Sequence, residues 1–426
     1  MQAIKPVVKE QIFRSLRAGV VPRIGQQYIQ VGREPEVTAL IKDIDNVAEG
    51  GSAIRFIIGE YGSGKTFFLN LVRAIALQKG LVTSSVDLSP NKRLYSKTGQ
   101  AKALYTELIR NLSTRTRQDG NAIEGIIQKF LSACSEEAET SGQPVRNLIV
   151  KKLNPLTELP NGYDFQKVLL TYYAGYERGN DDLCQESLRW LCGEYSSKLD
   201  AKRELDVRTI INDENYYTQL KLFARFVRIA GYKGLFLCLD EMVNIYKIQH
   251  PTTRNSNYEQ LLGIVNDALQ GESVGLGLIF GGTPEFHTDT HRGMFSYEAL
   301  RSRLAGNSFA KNGIVDFSGP VIALQRLDQN DVFVLLDKIR LLYANNEENK
   351  TLLPKEAIEQ FMNHCNKSLG STCFRTPRNI ITTFIHLLDV LDQNPESKWQ
   401  DFIGSLEVVK DDYQEPDDID DDLVSF

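Results

Sequence analysis

Long apolar runs are missing from this chain. No stretch approaches the roughly 18 residues that a bilayer-crossing helix needs, and the N-terminal MQAIKPVVKEQIF breaks its hydrophobics with Lys5, Lys9 and Glu10. This leads to the expectation of a cytosolic protein with no membrane partner. Paired cysteines are missing too. Cys134, Cys184, Cys192, Cys238, Cys365 and Cys373 are scattered without a C-x-x-C pair, so neither a zinc cage nor a disulfide framework is expected, and reduced, packed thiols are.

Concentrated positive charge is the third absence. The formal net charge is −6, but the last 17 residues, Lys410 to Phe426, hold eight acids against one lysine, leaving 48 basic and 47 acidic residues on the other 409. The body is therefore near neutral and has no basic stripe of the kind that marks a nucleic-acid surface. There is no internal repeat and no long low-complexity segment apart from that tail. With 426 residues, 42% hydrophobic and 24% charged, the chain has the make-up of two or three packed globular domains.

What is present centres on Phe56 to Leu69, FIIGEYGSGKTFFL. Ala53 to Ile58 reads as a short buried strand rich in β-branched residues, and Lys65 onward has helical periodicity ending at Gly80. Between them Gly59, Glu60, Tyr61, Gly62, Ser63, Gly64, Lys65 and Thr66 fit G-x-x-x-x-G-K-[ST]. A chain of this length carries such a match by chance about once in a hundred, before the strand-loop-helix context is counted. Glycines let backbone N–H groups turn toward phosphates and the helix N-terminus adds positive dipole. Lys65 reaches the β/γ oxygens and Thr66 offers its hydroxyl to Mg²⁺. Phe67 closes the nucleotide-contacting stretch. The plainer alternative is a glycine turn in an ordinary α/β unit.

Gly234-Leu-Phe-Leu-Cys-Leu-Asp240-Glu241 supplies five apolar residues and then two carboxylates. Asp240 is placed to hold Mg²⁺ through water and Glu241 to polarise an attacking water as general base, while Cys238 reads as core. A third strand, Gly275 to Gly282, leads into Thr283-Pro284. Thr283 is either a polar sensor of the γ-phosphate or a plain turn threonine. His287 and His291, four apart, do not lie in a regular helical pattern, and metal binding there is the weaker reading.

Around this core Val7 to Ala18 reads as an amphipathic helix and Leu81 to Leu88 as a second strand. From about Gln100 to Ala230 the periodicity is helical throughout, an insertion of roughly 130 residues between the glycine loop and the acids. Its aromatics Tyr172, Tyr173, Tyr176 and Trp190 read as core in preference to a base-stacking face. Val321 to Leu324 reads as a last strand, followed by helices over Gln329 to Ala344, Pro354 to Lys367 and Pro377 to Leu391.

These motifs in this order resemble the AAA+ ATPases, in particular the branch of origin-recognition initiators and signal-transducing ATPases. In that branch a V-G-R-E element, here Val31 to Glu34 with Arg33, packs near the nucleotide base. SLRAGVVPR, VGRE, FIIGEYGSGKTFFL, VDLSP, GYKGLFLCLDE, GGTPEF and SYEALRSRL look like the ATP-binding proteins of bacteriophage exclusion (BREX) defence, the BrxC/BrxD family, with a length nearer the BrxD type. The resemblance implies an α/β fold, a P-loop AAA+ core with a parallel sheet, a helical insertion and a C-terminal all-α lid. The implied divisions are 1–34 (helix and VGRE), 35–99 with 231–327 (core), 100–230 (insertion), 328–409 (lid) and 410–426 (acidic tail).

It also implies three arginine roles. Arg378 aligns with the sensor 2 arginine of a lid helix, its alternative being an ordinary helix-end ion pair. Arg301 and Arg303 lie where a finger for a neighbouring subunit sits, their alternative being solvated surface. The expected activity is ATP hydrolysis in phage defence with ATP and Mg²⁺, in a homo-oligomer acting with other defence proteins and on DNA. A nucleotide-controlled switch or scaffold with little turnover is the competing expectation, and a kinase-like phosphotransferase a weaker one. The tail reads as solubilising disorder or, from its terminal Phe426, as a docking tip.

Overall fold

The computed structural model describes residues 4–307, 310, 315–369 and 377–403. The expected acidic tail, Cys373 and the residues directly before Pro377 lie outside them. The fold is α/β on a five-stranded parallel sheet of order β2-β3-β4-β1-β5, with β1 Ala53–Ile58, β2 Val82–Asp87, β3 Leu235–Asp240, β4 Leu276–Gly282 and β5 Val321–Ala323. β3 (LFLCLD) and β4 (LGLIFGG) are buried at every position. Such continuous apolar strands suit a parallel sheet that is covered on both faces. The β2/β3 register runs from Val82↔Leu235 to Asp87↔Asp240, and the β3/β4 register from Leu235↔Leu276 to Leu239↔Phe280.

The chain separates into two compact units. One comprises the described residues of Thr38–Phe56 and Ile75–Ile322; the other comprises those of Met1–Val37, Ile57–Ala74 and Ala323–Asp417. In the first, seven α-helices from Gln100–Arg110 to Tyr216–Ile229 lie between β2 and β3. Phe130, Phe165, Trp190, Phe223 and Phe226 meet there edge to face, at centroid distances of 5.5–6.4 Å. Tyr172, Tyr173 and Trp190 are core as expected, whereas Tyr176 is 61% exposed. The helix Gln100–Arg110 has no capping side chain of its own. Asp213 substitutes by accepting the N–H groups of Gly99 (2.7 Å) and Lys102 (2.8 Å), which satisfies donors that a helix start leaves open.

The other unit has a core built from both ends of the sequence. The helix Pro6–Arg17 buries Ile12, Phe13 and Leu16 among Leu336, Ile339, Phe361, Ile380 and Phe384 of the helices Gln329–Tyr343, Lys355–Leu369 and Pro377–Gln393. At about 1.5–3 kcal/mol for each buried side chain, those three residues supply on the order of 5 kcal/mol before chain entropy is counted. Arg17 adds a two-pronged hydrogen bond to Asp389, at 2.7 and 2.8 Å. No helix among the described residues is long and apolar enough to cross a membrane.

Candidate nucleotide site

The glycine loop belongs to the unit built from both chain ends. β1 ends at Ile58, and Gly62 and Gly64 adopt left-handed φ values of 77° and 85°, which side chains resist. A Cβ on Gly59 would lie 2.4 Å from Ser63 Oγ and 3.1 Å from the Leu324 carbonyl, so backbone close-packs there. The helix Lys65–Gln78 then starts, with the Phe68 N–H bonded to the Gly64 carbonyl at 2.9 Å. Lys65 Nζ folds over the loop and donates to the carbonyls of Gly59 (2.7 Å) and Glu60 (3.0 Å).

Ser63 Oγ is buried with no hydrogen-bond partner, a group that costs about 1–3 kcal/mol when left so. Gly64 and Thr66 are exposed at the helix start, and Tyr61 is exposed as well. An ammonium, an orphaned hydroxyl and the N-terminus of a 14-residue helix make a donor-rich, positive cradle. Its chemistry fits phosphate oxygens. Around it, Glu60 pairs with Arg326, and Phe67, half-buried, packs against the helical core that holds Phe361 and Phe384.

Arg33 sits behind the cradle. Its Nη2 donates to the Ser63 carbonyl at 3.1 Å and to the Gln325 carbonyl, and its Nη1 lies 3.8 Å from Glu36. Burial lowers its pKa, partly offset by the charges of Glu36 and Asp331. Its backbone is left-handed, φ 66°, a conformation costing a non-glycine residue about 1–2 kcal/mol.

The acids belong to the other unit. Asp240 ends β3, 5% exposed. Glu241 follows, exposed and left-handed at φ 59°. Its N–H donates to Asp240 Oδ1 at 2.9 Å. The side-chain amide of Asn244 donates both to the Glu241 carbonyl (3.1 Å) and to the Leu88 carbonyl (2.9 Å), while the Leu88 N–H meets the Asp240 carbonyl at 3.0 Å. The ends of β2 and β3 are thus laced together. Asp87 stands opposite Asp240 in register, and burial raises its pKa, helped by the Asp240 charge.

Thr283, after β4, caps the short helix Pro284–Thr288, its hydroxyl accepting the Phe286 N–H at 3.4 Å. His287 lies on that helix, contrary to the irregular reading, with Nε2 3.3 Å from the Leu304 carbonyl and its ring edge-on to Phe295 at 4.7 Å. Burial lowers its pKa. Among the described residues no group of three or more His, Cys, Asp or Glu side chains could hold a metal. Magnesium carried by phosphates needs only one or two protein oxygens, and the exposed Thr66 at the helix start carries one of that kind.

Arg301 and Arg303 are both exposed on the helix Glu298–Leu304. Arg303 is committed to Asn266 Oδ1 (2.6 Å) and the Ala299 carbonyl (2.8 Å). The Arg301 guanidinium makes no hydrogen bond or ion pair among the described residues. Arg378 is exposed in the first turn of Pro377–Gln393, its stem lying where a Cβ on Gly19 would touch Cγ and Cδ at 3.3 Å. Asn244 and Arg326 carry no motif and escape sequence reasoning; only their spacing, three after Glu241 and two before the cap Asp328, hints at them.

A strand, a phosphate-fitting glycine loop and a helix on an all-parallel sheet define an α/β protein of the P-loop class. The chain belongs to the family described as BREX system ATP-binding protein BrxC/D, whose profile matches residues 4–407. Membership makes it an ATP-binding protein of an anti-phage defence system. The chain matches no curated protein.

Proposed function

We propose that this protein is an AAA+ ATPase that converts ATP and water to ADP and phosphate. Lys65 and the loop N–H groups bind the β- and γ-phosphates, with Gly59, Gly62 and Gly64 permitting the turn. Thr66 and Asp240 are the residues that would hold Mg²⁺, which would supply neutralisation of phosphate charge. Glu241 orients and deprotonates the attacking water. Thr283 and Arg378 report on the γ-phosphate, Thr283 through the hydroxyl hydrogen left over from its capping role. The observation that carries this reading is Glu241 itself, an exposed carboxylate in a strained backbone conformation at the end of a fully buried strand. Strain of that kind persists where the surroundings enforce it.

Self-assembly follows from the arginines. Arg301 is exposed and makes no hydrogen bond or ion pair among the described residues, so it is better suited than Arg303 to complete a neighbouring subunit's site. DNA and other defence proteins are the proposed partners. The competing reading, a nucleotide-set switch, is favoured by Phe67, which packs one residue of the nucleotide stretch against the C-terminal helical core. Measuring phosphate release by the wild type and by Glu241→Gln decides between them. Turnover lost together with phage protection supports the ATPase; protection kept without turnover supports the switch.

A further inference from the structure

We propose that Arg33 is a positioning residue for the phosphate loop, acting on ATP through the Ser63 carbonyl and not through the nucleotide base. The resemblance places the V-G-R-E element beside the base. In the structure the guanidinium turns to backbone instead, donating from one nitrogen to Ser63 and to Gln325. Ser63 is the loop residue whose hydroxyl is buried and unpartnered, and its carbonyl shares a planar peptide with the Gly64 N–H, so the carbonyl's orientation sets how that N–H faces a phosphate. A guanidinium suits this work because it stays charged even when burial opposes it, and the two hydrogens of its Nη2 meet both carbonyls.

The segment that carries Arg33 is anchored on its far side. Lys338 donates to the Gln30 carbonyl, and Gly32 lies against Asp331, where a Cβ would sit 3.4 Å from Oδ1. Asp331 belongs to the capping box that starts the helix Gln329–Tyr343. Arg33 therefore joins the start of that helix to the phosphate loop. Two successive left-handed residues, Gly32 (φ 61°) and Arg33 (φ 66°), bring its side chain there.

The inference rests on ATP binding at this loop and is tested by separating the two ends of ATP. Wild type, Arg33→Ala and Arg33→Lys are titrated with a fluorescent ATP analogue, then competed with ATP, GTP and inorganic tripolyphosphate. Arg33→Ala is expected to weaken ATP and tripolyphosphate by the same factor, roughly tenfold, with the ATP-to-GTP preference unchanged. Arg33→Lys is expected to recover part of the loss for both ligands, since one ammonium reaches one carbonyl. Loss of ATP affinity with tripolyphosphate untouched and the base preference gone overturns the proposal, as does no change for either ligand. Should Arg33→Ala not fold, the same ratio in Arg33→Lys decides. A wild type that binds no nucleotide overturns the ATP reading itself, a different result from any of these.

Discussion

The side-chain amide of Asn244 holds the carbonyl of Glu241 at 3.1 Å and, with the same nitrogen, the carbonyl of Leu88 at 2.9 Å. Glu241 keeps its left-handed backbone beside this clamp. Replacing Asn244 with Ala removes both bonds and loosens the direction of the carboxylate. We expect kcat for ATP to fall about tenfold, the equivalent of one hydrogen bond's worth of barrier, while KM stays within about twofold. Steady-state kinetics, with a melting curve to show the fold is kept, checks the split. A change confined to KM would contradict the positioning role.

Glu241→Gln keeps the shape and removes the proposed general base. Turnover is expected to drop by about 10²- to 10⁴-fold with nucleotide binding retained. Lys65→Ala should instead lose binding, because the cradle's only ammonium on the loop is gone. Nucleotide titration of both variants alongside phosphate release separates the two effects.

Arg301 and Arg303 differ in commitment, and their variants should differ accordingly. Arg301→Ala is expected to lose at least about a hundredfold in ATPase rate, in line with the worth of a trans-acting arginine, while Arg303→Ala keeps most of its activity. Mixing Arg301→Ala with Glu241→Gln should restore part of the rate, because each supplies what the other's neighbour lacks. No recovery on mixing argues for action within one subunit.

The Arg17–Asp389 pair ties the N-terminal helix to the helix Pro377–Gln393 and makes a pH prediction. Burial alone would raise the Asp389 pKa, but the hydrogen bonds from Arg17 and Tyr343 outweigh it and leave it below the ordinary aspartate value. A depressed carboxylate pKa stabilises the fold above the unfolded value, and that stability disappears as pH falls through the folded one. Asp389→Asn should therefore cost about 1 kcal/mol near neutrality, the pair being partly exposed, and the gap to wild type should close below about pH 4. Denaturant midpoints at several pH values show it.

DNA contact is expected to be modest for a body whose charge nearly cancels. If duplex DNA stimulates the ATPase, the stimulation should weaken only shallowly between about 50 and about 200 mM salt, reflecting few phosphate contacts. A steep loss would point to more phosphate-contacting lysines and arginines than a near-neutral body is expected to supply.

The parts of this protein that sequence made legible are those whose signal is local. β1, β3 and β4 announce themselves as apolar runs because both their faces are covered, and the glycine loop because its backbone tolerates few residues. The Asp240–Glu241 pair was legible for the same reason, standing where a buried run stops. What stayed hidden depends on distant partners. Nothing in Ile12, Phe13 and Leu16 says that their cover is Ile380 and Phe384, and nothing in V-G-R-E says that Arg33 points at a carbonyl of the glycine loop. Tyr176 misled for a related reason: its neighbours Tyr172 and Tyr173 are buried, but it turns off their face of the helix.

That union of the first helix with the last ones bears on how the chain is made. The apolar stripe of Pro6–Arg17 leaves the ribosome well before the side chains that cover it, Ile380 and Phe384, which emerge more than three hundred residues later. At about 5–20 residues per second the stripe waits roughly 20 to 70 seconds, open to chaperones throughout. A truncated or stalled product would display it permanently, so nascent chains of this protein carry their own mark of incompleteness.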